Sequence, residues 1–339
     1  MSAVIDSVPA AAGVLMASSA IGFAALLGIR RLRGALGSGL SPEQRLLREY
    51  GRWSIAIYEG STPWDLAPAG LIANPVIIPE MVTDADALLV ADPFMMRRDG
   101  MWYLFFEVLR RVDKRGVIAH ATSDDGRTWS YGGIVLEESF HLSYPQVFEW
   151  EGEVYMVPES SADLSVNLYR AAGFPGGWER VATLLTGHAF VDATVFRHQD
   201  HWWMCVSTDA NDVLNLYHSA HPDHGWQPHP LNPVVKQNPH HARSAGRVIE
   251  ADGRLYRFAQ DCAPDYGVSV FAFEITRLTP LEYAERIVSP EPLLTRSGAG
   301  WNSHGMHHID AHPHDGRWIA AVDGKTSCDV TPRRPWITR

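Results

Sequence analysis

The chain has 339 residues, 46% of them hydrophobic and 20% charged, which excludes a disordered, collagenous or small disulfide-stapled protein. Lys plus Arg number 29 against 39 Asp plus Glu, and a net charge of −10 disfavours phosphate backbones, so nucleic acid is not an expected partner. Cys205, Cys262 and Cys328 are odd in number and lack metal-ligand spacing, which argues against a disulfide framework or a cysteine zinc site.

The stretch from Val8 to Ile29 carries no charge and is roughly the 20-residue length of a membrane-spanning helix. Arg30, Arg31 and Arg33 follow it, whereas only Asp6 precedes it, the reverse of a secretory signal. Residues 1–34 are therefore expected to form an apolar helix that anchors the protein in a membrane, with the bulk of the chain on the cytoplasmic side. The alternative is a buried Ala/Gly/Ser-rich helix. Residues 35–52 read as a linker with a short helix from Pro42 to Tyr50, capped by Ser41.

The remainder repeats one pattern. ADPFMMRRDGMWYLFFE from Ala91, YPQVFEWEGEVYMVPE from Tyr144, DATVFRHQDHWWMCVST from Asp192, SAGRVIEADGRLYRFAQD from Ser244 and HIDAHPHDGRWIAAVDG from His308 each read as strand, polar turn, aromatic strand. The turns fall at Gly100, Gly152, His201, Gly253 and Gly316, a period of about 50 residues, as in propeller blades. Further strand pairs lie between them, three carrying Trp129, Trp178 and Trp226, which are expected to pack between blades. The fold class is all-β: a five-bladed β-propeller of four-stranded blades over residues 53–330, an N-terminal helix before it and a tail over 331–339.

In such a fold the start of each blade's first strand and the end of its second emerge at one mouth of the central channel. The starts are Asp92, Tyr144, Asp192, Arg243 with Ser244, and His307 with His308; the ends are Glu107, Glu159, Asp209, Asp261 and Asp323. Paired carboxylates in a concave site are what glycosidic bond chemistry needs, and Asp92 with Asp192 is the leading pair. The competing reading is structural: these acids close strand ends or pair with Arg243 and Arg247. In the catalytic reading Arg243 and Arg247 instead anchor an anionic group of the substrate. Tyr144, Trp64 and Trp301 are candidates for stacking on a sugar ring.

WNSHGMHHIDAHPH, from Trp301, is rich in histidine, but His307 and His308 point to opposite sides of a strand, so hydrogen bonding to sugar or channel water is preferred to a metal site. Glycine-rich phosphate loops and GxSxG, HExxH or CxxC motifs are absent, and no cofactor is expected.

ADPF, FHLSYPQVFEWEGEVYMVPE, LYRAAGFPGGW, VDATVF, ARSAGRVI, LYRFAQDCAPDYG and WNSHGMHHID resemble the N-terminal propeller domain of plant glucosamine inositolphosphorylceramide transferases and bacterial relatives, from about Trp53 to Gly324. That domain is in turn similar to the five-bladed arabinanase and xylosidase clan of glycoside hydrolases. The resemblance implies Asp92 as catalytic base and Asp192 as a pKa modulator. The clan's blade-four glutamate acid has no counterpart, since Ala242 to Gly246 holds no carboxylate, so Glu159, Asp261 or a histidine is left to supply the proton. Asp92, Asp192 and Glu159 are thus the catalytic candidates. The candidate binding set is Glu107, His141, Tyr144, Arg243, Arg247, Gln260, Asp261, His304, His307, His308 and Asp310. The implied ligand is a glycan or glycolipid head group, cleaved or transferred, with a glycosyltransferase as a possible partner. A non-catalytic binding or scaffolding propeller is the alternative.

Overall fold

The computed structural model describes residues 41–326, apart from Ala69 and Leu71. The expected anchor helix and the tail after residue 330 lie outside the described residues. Among the described residues no helix is long and apolar enough to cross a membrane. The helix Pro42–Tyr50 opens with a reciprocal cap: Gln44 N–H donates to Ser41 Oγ at 3.1 Å, and Ser41 N–H donates to Gln44 Oε1 at 2.9 Å.

The rest is a five-bladed propeller of antiparallel sheets. Blade one runs through Ala87–Arg98, Met101–Arg110, Gly116–Ser123 and Ser130–Leu136. Blade two comprises Ser143–Trp150, Glu153–Ser160, Ser165–Gly173 and Gly176–Thr186. Blade three has Phe190–His198, His201–Thr208, Leu214–Ser219 and the short Gln227–Pro228. Blade four holds Ile249–Ala251, Arg254–Asp261, Ser269–Leu278 and Tyr283–Ile287, with Leu294–Thr295 added against its third strand. Blade five joins both ends of the propeller: Ile309–His314 and Arg317–Thr326 come late in the chain, whereas Arg52–Gly60 and Ala67–Pro68 come first. Arg52 pairs with Thr326 and Gly60 with Trp318, and this antiparallel seam closes the circle of blades.

Sequence explains the two kinds of strand. Ala87–Arg98 and Met101–Arg110 are almost continuously buried because neighbouring blades cover both faces, so they read as unbroken apolar runs. The outer strand Gly176–Thr186 alternates between exposed and covered residues. The first hairpins turn on two residues with left-handed backbone at Asp99–Gly100, Glu151–Gly152, Asp252–Gly253 and Asp315–Gly316. In blade three the turn is Gln199–Asp200, and His201 begins the second strand rather than forming the turn.

The core is divided among the blade interfaces. Ile57, Trp102, Trp129 and Ile319 fill the seam between blades five and one, and Phe105, Tyr144, Met156 and Trp178 fill the next. Trp129 and Trp178 are buried and Trp226 is partly so; their indole N–H groups donate to the carbonyls of Gly126, Pro175 and Pro222.

Candidate functional site

Three blades make the same irregularity where their first strand meets the channel mouth. The pairing jumps from Ala91–Glu107 to Phe94–Phe105, from Ser143–Glu159 to Gln146–Val157, and from Val191–Ser207 to Thr194–Cys205. Each jump places two residues of the first strand against one of the second, a β-bulge. The first extra residue is Asp92, Tyr144 or Asp192, with φ of 54°, 46° and 50°. Non-glycine residues adopt this left-handed backbone at a cost of about 1 kcal/mol or more, and such strain collects at functional sites. The bulge re-aims the side chain, and the same device in three blades brings the three residues to one place.

Asp92 lies against blade five. Its N–H donates to Asp323 Oδ2 at 3.1 Å, while its Oδ2 accepts the Tyr144 N–H at 3.2 Å. His307 Nε2 stands 3.6 Å from Asp92 Oδ1, and His308 Nδ1 stands 3.9 Å from it. Burial, together with the negative charges of Asp192 and Asp323, outweighs His307 and pushes the Asp92 carboxyl up to about 7.

Asp323 is the anchor behind it. Fully buried, it accepts the His307 and His308 N–H groups at 3.1 Å and His307 Nδ1–H at 2.8 Å. Burial works against its charge, but His307 and these donors hold it below the ordinary carboxylate range. His307 is held above its ordinary value: burial opposes the charged ring, and Asp323 and Asp92 prevail. His308 is pushed down to about 4 by burial, so its ring is neutral, and its buried Nε2 meets no acceptor or donor among the described residues.

Glu107, paired across the ladder with Ala91, is the neighbour of Asp92 on the second strand. Burial first, then the charges of Asp92, Glu159 and Asp192, lifts its carboxyl well above the ordinary range. His141 Nδ1 accepts the Gly116 N–H at 2.9 Å, which leaves the proton on Nε2, 3.4 Å from Glu107 Oε1. Burial pushes His141 down to about 4, so it meets Glu107 as a neutral ring.

Arg243 occupies the blade-four side. Its Nε and Nη2 donate to Asp192 at 2.6 and 3.2 Å, Nη2 also reaches Glu159 Oε2 at 3.3 Å, and Nη1 donates to Asn211 at 2.7 Å. Gln260 Nε2 adds a bond to Asp192 at 2.8 Å. Burial nevertheless dominates Asp192 and pushes it up to about 6. Arg243 Nη2 and Ser161 Oγ both donate to Glu159. Glu159 thus shares the Arg243 guanidinium with Asp192.

Several sequence candidates do other work. Arg247 gives Nε to Asp310 at 2.8 Å, Nη1 to the Val147 carbonyl and Nη2 to the Met95 carbonyl, so it braces the channel wall rather than presenting an anion anchor. Asp310 also accepts the Met95 N–H and His312 Nε2–H; burial is overcome by Arg247 and His312, which hold it well below the ordinary range. Tyr144 is fully buried, and its hydroxyl accepts the Gly246 N–H at 2.8 Å and bonds Thr194 Oγ1, leaving no face for a sugar. Asp261 pairs with His240 at 2.9 Å, and the exposed His304 bonds Ser303. Asp209 is exposed. Trp64 lies away on a groove with Tyr256, Arg254 and Glu274.

Asp92, His307 and Asp323 each offer an atom within 4.8 Å of the others, the spacing of a metal cage. Within the cluster, Asp323 accepts the backbone N–H groups of Asp92 and His307 and the His307 Nδ1–H, while His307 Nε2 and Asp92 Oδ1 face each other at 3.6 Å. Asp323 carries more of the site than its place at a strand end suggested; its signal was the repeat register. Tyr266 was not singled out at all, although it belongs to the QDCAPDYG motif.

Residues 47–325 match the family profile described as glucosamine inositolphosphorylceramide transferase 1, N-terminal. The chain is 35% identical over 309 residues to the protein of that name from Arabidopsis thaliana, covering 84% of this chain and 40% of the relative. It is 34% identical over 298 residues to the one from Oryza sativa subsp. japonica, covering 81% and 40%. The chain thus spans about two fifths of the length of these relatives. Among solved structures, the catalytic domain of a Coprinopsis cinerea GH62 α-L-arabinofuranosidase superposes with a TM-score of 0.53 at 14% identity, over 81% of this chain and 97% of the other. An exo-1,5-α-L-arabinanase from a bovine ruminal metagenomic library gives 0.51 at 17%, over 71% and 94%. At these identities the likeness is one of fold.

Proposed function

The chain belongs to the family of N-terminal domains of glucosamine inositolphosphorylceramide transferase 1, and from that premise we propose that its channel mouth binds a glycan or glycolipid head group and cleaves or transfers a glycosyl unit. The observation that carries this reading is the Asp92–Glu107 pair, two buried carboxylates on neighbouring strands of blade one, Glu107 opposite Ala91, with burial lifting Glu107 well above the ordinary range and Asp92 to about 7. Glu107 supplies a proton to the departing glycosidic oxygen, the role the sequence reading gave to Glu159. Asp92 removes one from water or from an acceptor hydroxyl, or attacks as nucleophile. Asp192, fixed by Arg243 and Gln260, supplies the fixed charge that modulates Asp92.

The relatives' name points to glucosamine and an inositol phosphate lipid, and a mouth richer in carboxylates than in cations suits the ammonium of an amino sugar. A glycosyltransferase is the partner that fits this setting. A non-catalytic binding module is the second reading; the ion pairs of Arg243 with Asp192 and Glu159 favour it.

The test is to incubate the full chain with glucosaminyl inositolphosphorylceramide and isotopically labelled inositolphosphorylceramide and follow sugar release or transfer to the labelled lipid by mass spectrometry. Wild type turns over, and Asp92→Asn and Glu107→Gln each lose on the order of 10²-fold or more with binding retained. Binding without turnover by wild type transfers the case to the second reading, and neither binding nor turnover sinks both. We also propose that residues 1–34 hold the protein at a membrane with the propeller on the cytoplasmic side; deleting them should move it to the soluble fraction.

A further inference from the structure

The loop between the second and third strands of blade four, residues 262–268, lies at the mouth beside Arg243 and His307. Its ends are pinned by backbone bonds: Cys262 N–H donates to the Pro239 carbonyl at 2.9 Å, and Gly267 and Val268 N–H both donate to the Asp261 carbonyl at 3.1 Å. Ala263 N–H donates to Asp261 Oδ1 at 3.0 Å. Gly267 has φ of +69°, and a Cβ there would stand 2.9 Å from His307 Cβ and 3.1 Å from the Trp53 ring. Only glycine lets the loop press this closely on His307, which itself stacks on Trp53 with ring centroids 4.1 Å apart.

Tyr266 precedes that glycine. Its ring meets His307 edge-on at 5.3 Å between centroids, and the Arg243 guanidinium lies 5.2 Å from the ring centre. Yet 38% of the residue is exposed, in contrast to Trp53 and Tyr144, which are enclosed. Among the described residues its hydroxyl makes no hydrogen bond. An aromatic ring flanked by Arg243 and His307 and otherwise open has the chemistry of a sugar-stacking surface.

We infer that Tyr266 is the stacking platform of this mouth, receiving the apolar face of a pyranose while its hydroxyl bonds a sugar hydroxyl. This rests on the glycan reading above, and it gives to Tyr266 the role for which Tyr144 is too deeply buried. The position of the ring is set by Gly267 and by Arg243, so the platform is preorganised rather than recruited.

The experiment is a titration of the full chain with methyl glucosaminide, methyl N-acetylglucosaminide and methyl glucoside, by calorimetry and by saturation-transfer NMR. Wild type, Tyr266→Phe, Tyr266→Ala and Asp92→Asn are compared, with near-UV circular dichroism to verify the fold of each. The expected result is a loss of roughly tenfold or more in affinity for Tyr266→Ala, and a change within about threefold for Tyr266→Phe, which keeps the ring. Undiminished binding by Tyr266→Ala overturns the platform and leaves the glycan reading standing. Wild type that binds none of the three sugars overturns both. Should Tyr266→Ala misfold, Tyr266→Leu, apolar but not aromatic, must show the same loss.

Discussion

Asp92 illustrates how a site residue burdens the fold that holds it. Unfolded, its carboxyl titrates near 3.8; folded, burial and neighbouring acids bring it to about 7. A carboxyl raised in this way contributes stability that is fully present below about pH 4 and lost as pH rises through about 7, because the native state must then carry an unwelcome charge. Asp92→Asn keeps the shape and removes the charge. Its thermal midpoint should match wild type at pH 4 and exceed it by roughly 2 to 6 °C at pH 8. Equal midpoints at pH 8 would mean that Asp92 ionises without strain. Arg243 makes the opposite case. Arg243→Gln strands Asp192 and Glu159 without their shared cation, and urea unfolding at pH 8 should register a loss of about 3–5 kcal/mol. The deficit should shrink at pH 5, where Asp192, already raised to about 6, takes up a proton.

At the scale of the strand, the bulge explains which parts of the site could be seen beforehand. Asp92, Tyr144 and Asp192 stand at equal places in a repeat of apolar strands, so their convergence was legible from register alone. What a linear pattern cannot express is which neighbour answers which charge: Arg247 matches Arg243 in the sequence, yet four residues further along the chain it turns onto Asp310 and the channel wall. Blade four departs from its siblings for a local reason. Its first strand shortens to Ile249–Ala251 because Gly246, with φ of +135°, lies against blade five, where a Cβ would come within 1.8 Å of the Ile309 carbonyl oxygen. Ile309 N–H in turn donates to the Ala245 carbonyl at 2.8 Å. Gly246→Ala should therefore cost about 3 kcal/mol or more, or abolish soluble expression. Gly152→Ala, at a left-handed hairpin turn with nothing within 4 Å, should cost only about 1 kcal/mol. Equal thermal midpoints for the two variants would show that the blade four–five contact yields readily.

For the whole propeller, the five-fold repeat was readable because every blade reuses one aromatic hairpin, whereas the closure was not. The fifth hairpin ends at Thr326, and the two strands completing its sheet come from the other end of the propeller sequence, some 260 residues away, a pairing that no local periodicity encodes. Arg52–Gly60 contributes Ile55 and Ile57 to the core between blades five and one, and Ala56 and Tyr58 to the core between blades four and five. One strand therefore serves two of the five interfaces. A chain limited to residues 50–326 should unfold in a single cooperative transition, since each blade is stabilised on both faces by its neighbours. Removing residues 50–68 exposes both cores at once and leaves Arg317–Thr326 as an unpaired edge, so the shortened chain should lose its near-UV signal and aggregate. A synthetic peptide of residues 50–68 added in trans should restore that signal, because the seam is a nine-pair antiparallel ladder rather than a covalent hinge. Native-like signal and thermal midpoint in the shortened chain without peptide would mean that four complete blades and an open fifth are sufficient, and that the seam serves the mouth rather than the fold.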